Sequence, residues 1–146
     1  MSLQFQQFFR QRDLWVSVDY SIVFKLRDHV KWGSDQLTFV AEDNARIVGA
    51  AALECYDDGA LLRSVVVEAS ARGLGIGKRL TMAAVEQARS LELPAVYLLT
   101  TTAAAFFPKL GFELTTREAV PPSVRQSIEF QSACPGSANV LTLRLR

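Results

Sequence analysis

The chain is expected to form an α/β fold, a mixed and mostly antiparallel sheet with helices on both faces, on three observations. Short β-rich runs are separated by tight-turn signals at Asp43-Asn44 and at Asp57-Asp58-Gly59. One long amphipathic pattern, Ile76, Leu80, Ala84 and Ala88, recurs at every fourth residue. A strand-length apolar run from Ala95 to Thr100 follows it, as a parallel strand follows a crossover helix.

Taken in order, Leu14, Val16, Val18 and Tyr20 alternate with Trp15, Ser17 and Asp19, a period of two that predicts a strand. Ile22, Leu26 and Val30 stand at helical spacing and predict a helix. The runs from Leu37 to Glu42 and from Arg46 to Glu54 read as a hairpin, and the next turn leads to a strand from Leu61 to Val67. Three antiparallel strands therefore precede a long helix that starts near Gly75, with Leu91 completing its apolar face and Pro94 closing it. Beyond Thr100, a short helix is expected from Ala103 to Leu110, ended by Gly111. Two further strands are expected, Phe112 to Thr116 and Val140 to Leu145, with a polar helical segment around Pro122 to Gln131 between them.

With 146 residues, no internal repeat and no linker, the whole chain 1–146 is expected to be one domain. The net charge of +1, without a basic run interleaved with aromatics, argues against a nucleic-acid partner. Hydrophobic content is 49%, but the apolar runs are short and broken by charge, so neither a membrane span nor a leader is expected and the cytoplasm is the simplest location. Cys55 and Cys134 make no metal-spaced cluster and His29 is the lone histidine, so no metal is expected.

The segment Arg72-Gly73-Leu74-Gly75-Ile76-Gly77-Lys78 joins the Leu61 to Val67 strand to the long helix. Glycines there let backbone N–H groups crowd an anion, and the following helix turns the positive end of its dipole to the same place. A Walker loop would need glycine at Arg72 and Ser or Thr at Arg79; a dinucleotide fingerprint would need its third glycine at Lys78. Both patterns fail. What remains resembles the acetyl-CoA pyrophosphate loop of the GNAT N-acetyltransferase superfamily.

The same family is matched by Arg46-Ile47-Val48-Gly49 and by Ala105-Phe106-Phe107-Pro108-Lys109-Leu110-Gly111-Phe112. Together these segments cover roughly residues 37 to 116, whereas residues 1–36 match the pattern poorly. Leu98 to Ala103 and the Phe-Phe-x-x-Leu-Gly-Phe that follows are similar to the acetyltransferase domain of N-acetylglutamate synthases. They are more similar still to small acetyltransferases encoded in arsenic-resistance operons, including the tail Glu129-Phe130-x-Ser132-x-Cys134-Pro135.

The resemblance implies acetyl-CoA as co-substrate, a small-molecule amine as acceptor, and an amino acid or amino-acid analogue as that amine. It implies that Arg72, Gly73, Leu74, Gly75, Ile76, Gly77 and Lys78 hold the pyrophosphate, that backbone groups of Val65 and Val67 hold the pantetheine arm, and that Phe107 packs against it. Val65 N–H or its neighbour would also stabilise an oxyanion. The glutamate that many members carry before the loop falls at Leu62, and the tyrosine that often protonates the thiolate falls at Phe107. The proton-transfer candidates left are Glu54 and Tyr56, with Tyr97 or Cys134 more remote and bulk water as the alternative.

Arg63, a charge inside an apolar strand, offers a planar donor fork suited to the α-carboxylate of an amino acid. Thr100, Thr101 and Thr102 stand at the carboxyl end of their strand, where ligands collect in open sheets, and Thr101 and Cys134 join Arg63 as substrate-binding candidates. The N-terminal cluster Phe5, Phe8, Phe9, Leu14 and Trp15 is expected either to pack on its own sheet or to make a homodimer contact. A different class of function also fits, a CoA-binding sensor or interaction module without acetyl transfer, and Leu62 and Phe107 are the residues that keep it open.

Overall fold

The computed structural model describes residues 7–11, 14–18, 22–27, 35–43, 46–133 and 136–146. Seven strands form one sheet in the order β3-β4-β5-β6-β7-β9-β8, and β1 (Gln7–Gln11) pairs with β2 (Leu14–Val18) in a separate ribbon. The large sheet contains β3 (Ile22–Arg27), β4 (Asp35–Asp43), β5 (Arg46–Tyr56), β6 (Gly59–Val67), β7 (Ala95–Thr100), β8 (Glu113–Thr115) and β9 (Asn139–Arg144). Every neighbouring pair is antiparallel except β6 and β7.

The expected helix through Ile22 and Leu26 is a strand: β3 pairs with β4 from Ile22 opposite Ala41 to Arg27 opposite Gln36. Ile22, Phe24 and Leu26 satisfy a period of two as well as Ile22 and Leu26 satisfy a period of four, and the available edge of β4 decides between them. Val30 lies outside the described residues. The hairpin turns fall where expected, between Asp43 and Arg46 and at Asp57-Asp58, where Tyr56 faces Gly59.

The helix α1 (Ile76–Ser90) lies on one face of the sheet and buries Ile76, Leu80, Ala84, Val85 and Ala88. Gly49 lets it approach: a Cβ there would sit 3.1 Å from both Ile76 Cγ2 and Leu80 Cδ1 and 3.2 Å from the Val66 carbonyl. Leu91 does not complete the apolar face, since the helix has ended and Leu91 is exposed. Instead Glu92, at φ +59°, turns the chain, and the Leu93 and Glu92 N–H groups bond to the Ala88 and Arg89 carbonyls, the Schellman pattern with Leu93 as its buried apolar contact.

The opposite face carries α2 (Pro122–Arg125) and a π-helical turn at Glu129–Ala133, so the expected polar helix is broken in two. Their Val124 and Phe130 pack with Leu61 and Val140, and Ser123 Oγ donates to Asp58 Oδ1 at the β5–β6 turn. Alternation along each strand divides the core: Leu62, Val96, Leu98 and Leu141 belong to the α1 side, Leu61, Tyr97, Leu99 and Val140 to the α2 side. The short helix expected from Ala103 is reduced to a 3-10 turn at Phe107–Leu110. Pro108 lacks an N–H and so removes the bond that an α-helix would make to Ala104.

Candidate functional site

The site begins where the sheet comes apart. β6 and β7 pair in parallel only at Ala60 with Val96 and at Leu61 with Tyr97. Past Leu61 the β7-facing backbone groups of β6 have no strand partner, and the gap opens into a cleft of about 730 Å³. On its other edge β6 bulges: Ala52 faces Arg63 and Ala50 faces Val66, so one residue of β5, Ala51, opposes two of β6, Ser64 and Val65. Ser64 absorbs the extra residue at φ +56°, a left-handed conformation uncommon for serine. Arg63, Val65 and Val67 all line the cleft.

At one end of the cleft stands the N-terminus of α1. Gly75 caps it at φ +78° and Gly73 precedes it at φ +81°, and a Cβ at either would meet nothing within 4 Å. Left-handed backbone, not crowding, is therefore what calls for glycine at these positions, and the space in front of them is open. No side chain caps the helix and its first turn holds no acidic residue. The positive end of the dipole and the first-turn N–H groups are available to an anion, with Lys78 beside them on the lining. This geometry fits the pyrophosphate of CoA. Arg72 also lines the cleft, its Nε donating to the Val67 carbonyl at 3.1 Å, which ties the loop back to the strand end.

Gly73, Gly75, Ile76 and Gly77 line the cleft, whereas Leu74 points away and is 60% exposed. Phe106 and Phe107 form a further wall, edge to face with ring centroids 5.0 Å apart; Phe107 is buried and also meets Phe112 at 5.7 Å. A Cβ on Gly77 would stand 3.6 Å from the Phe106 ring. Thr100 and Thr102 line the cleft and Thr101 does not. The Thr100 Oγ1 accepts from Ala103 N at 2.9 Å and Thr102 N at 3.3 Å, a turn that leaves Thr101 exposed.

Glu54 and Tyr56, the proton-transfer candidates, stand behind the lining. Glu54 Oε1 accepts from Arg63 Nε at 2.6 Å and Oε2 accepts from Tyr56 OH at 2.6 Å. Arg63 Nη1 reaches Ser64 Oγ at 3.3 Å. Both carboxylate oxygens are thus engaged, and of Glu54, Tyr56 and Arg63 it is Arg63 that lines the cleft. Tyr97 packs on the α2 side, and Cys134 and His29 lie outside the described residues, as does Phe5; the side chains of Phe8, Phe9, Leu14 and Trp15 are likewise not described. Sequence reasoning passed over Ser64 as a lining residue, because only the bulge brings it there.

Among the described residues no group of three or more His, Cys, Asp or Glu side chains could hold a metal ion, and no helix is long and apolar enough to cross a membrane.

Against known proteins, a family model described as acetyltransferase (GNAT) domain matches residues 34–114. An amino-acid acetyltransferase of Pasteurella multocida is 28% identical over 112 residues, 75% of this chain and 25% of the relative. N-acetylglutamate synthase of Neisseria gonorrhoeae, solved with coenzyme A and N-acetyl-glutamate, superposes at a TM-score of 0.66 with 22% identity over 75% of this chain and 26% of that one. A Mycobacterium tuberculosis protein solved with CoA gives a TM-score of 0.65 and 25% identity over 75% of this chain and 76% of that one. The chain spans about a quarter of the length of the amino-acid acetyltransferase and of the synthase.

Proposed function

The chain belongs to the GNAT acetyltransferase domain family, and from that premise we propose that it transfers acetyl from acetyl-CoA to the amine of a small amino acid or amino-acid analogue. One observation carries the reading: the glycine N-terminus of α1, which no side chain caps, and Arg63 line the same cleft. Arg63 lies four residues back along β6 from Val67, on the order of 13 Å at strand rise. A single cleft thus offers a site for the pyrophosphate and a separate cation for a second, anionic substrate.

Acetyl-CoA supplies an activated thioester. Residues of the chain then divide the remaining work. Gly73 to Lys78 hold the pyrophosphate, the unpaired edge of β6 from Leu62 to Val67 holds the pantetheine amides, and Phe106 and Phe107 pack against the arm. Backbone N–H groups at the bulge, Val65 first among them, are the donors offered to a developing oxyanion, a contribution worth about 3 to 4 kcal/mol per donor in well-studied enzymes. Arg63 holds the α-carboxylate of the acceptor and so orients its amine. Leu62 and Phe107 supply apolar wall only, so the amine loses its proton to water entering the open cleft, and as the C–S bond breaks the CoA thiolate departs and takes a proton from the same water.

The relatives support an amino acid as acceptor: one is described as an amino-acid acetyltransferase, and a structural neighbour carries N-acetyl-glutamate. The resemblance to acetyltransferases of arsenic-resistance operons extends the candidates to amino-acid analogues. Melting the protein with and without acetyl-CoA tests the first half of the reading. At 100 times Kd the ligand stabilises by about 2.7 kcal/mol, roughly 5 to 10 °C for a domain of this size; no shift at saturation would remove the cofactor. The apolar Leu62 and Phe107 favour one rival, a CoA-binding module without transfer, which would shift in melting but release no thiol with any amine.

A further inference from the structure

Arg63 is a side chain with five N–H donors, and its surroundings have already taken some of them. Nε is bound to Glu54 and one Nη1 hydrogen is directed at Ser64. Glu54 in turn is held from its other oxygen by Tyr56. The three residues occupy one face of the β5–β6 hairpin: Arg63 stands opposite Ala52 and Glu54 opposite Leu61, the diagonal relation in which long side chains of neighbouring strands meet. The pair is well shielded, with side-chain exposures of 24% for Arg63 and 14% for Glu54. Charge-assisted bonds in such a setting hold a guanidinium in one orientation.

That orientation has a chemical consequence. A carboxylate can approach guanidinium along the edge formed by Nε and one Nη, or end-on across the two Nη groups. Glu54 closes the Nε edge. Ser64 takes one hydrogen of Nη1, which leaves the end-on approach across the two Nη groups as the one by which Arg63 can receive a carboxylate, and its fork is fixed before the substrate arrives.

Building on the amino-acid reading above, we infer that Glu54 and Tyr56 are positioning residues that fix Arg63 as an end-on receptor for the acceptor's α-carboxylate, and that Glu54 is not the general base. A base needs a carboxylate oxygen facing the amine. Both oxygens of Glu54 are engaged and the residue does not line the cleft, whereas Arg63 does. The Tyr56–Glu54–Arg63 chain is therefore a specificity device.

The test measures thiol release by the full chain at saturating acetyl-CoA, with L-glutamate, L-glutamine and L-methionine as probes, each compared with its α-amide. The wild type is expected to show a KM about tenfold lower or better for the free acid than for the amide, as hydrogen bonds to a charged group imply. Glu54→Ala raises KM for the acid about tenfold while changing that for the amide less than about threefold, and Glu54→Asp recovers part of the loss. Tyr56→Phe gives the same selective rise on a smaller scale. Should Glu54→Ala lose its fold, Glu54→Gln, of the same shape but without the charge, carries the measurement.

Equal KM values for acid and amide in the wild type overturn the inference. So does a Glu54→Ala that lowers kcat alike on both probes and abolishes the acidic limb of the pH profile, the signature of a lost base. No transfer by the wild type to any amine overturns the underlying amino-acid reading and this inference with it. Transfer with a non-selective Glu54 variant overturns the inference alone.

Discussion

Gly49 on β5 and Ile76 at the start of α1 are in contact so close that a methyl group on Gly49 would stand 3.1 Å from Ile76 Cγ2. The strand two places from the cleft thereby sets the height of the helix whose N-terminus faces it. Gly49→Val is expected to overpack this contact and destabilise by about 1 to 3 kcal/mol. Chemical denaturation would register that loss, and calorimetry would register weaker acetyl-CoA binding, because the N-terminus of α1 is displaced with it. Unchanged stability would show that the helix can shift without strain.

Gly75→Asp tests the anion cradle. Aspartate tolerates a left-handed backbone better than most residues, and the space in front of Gly75 is open, so the variant is expected to fold with a loss of no more than about 1 to 2 kcal/mol. It places a carboxylate where the pyrophosphate would sit. Affinity for acetyl-CoA, by calorimetry, is expected to fall at least about tenfold, because a carboxylate then stands at the helix N-terminus against the like-charged pyrophosphate. Retained affinity would take the loop out of the site.

Arg63→Ala separates the two ends of the cleft. The variant is expected to raise KM for a carboxylate-bearing amine about ten- to a hundredfold, the loss of charge-assisted bonds, while its acetyl-CoA affinity falls much less. Steady-state kinetics with both substrates varied decides this. Equal losses for both would mean that Arg63 serves the fold or the cofactor.

A stability prediction follows from the end of α1. Glu92 occupies a left-handed position at φ +59° that glycine fills without strain, and it is 'held' there by the Schellman bonds of Leu93 and Glu92 itself. Glu92→Gly is expected to relieve about 1 kcal/mol of backbone strain, partly offset by glycine's greater freedom in the unfolded chain, for a net gain of about 0.5 kcal/mol. Thermal melting should register an upward shift of roughly 1 to 2 °C.

The parts of the fold visible in the sequence are those specified locally. Asp43-Asn44 and Asp57-Asp58 are turn residues between β-rich runs, and the four-residue spacing from Ile76 to Ala88 has no rival reading over that length. Ile22 to Leu26 was ambiguous because a short apolar run satisfies both periods, and the partner strand decides it. The glycine loop was legible as chemistry because backbone conformation there is encoded in residue type. The Arg63–Glu54–Tyr56 chain was not: the three residues were separately conspicuous, but their union depends on strand register, and Ser64 reaches the cleft through a bulge that no local signal announces. Likewise the choice of Thr100 and Thr102 over Thr101 rests on strand alternation and on the turn closed by Thr100 Oγ1.

The most direct test of acetyl transfer is amine-dependent thiol release from acetyl-CoA across the free L-amino acids, with product identity checked by mass spectrometry. Release that rises and saturates with an amino acid, accompanied by its N-acetyl product, is the predicted result. Tight binding of acetyl-CoA with no amine-dependent release for any amino acid or analogue would contradict it and leave a CoA-binding module in its place.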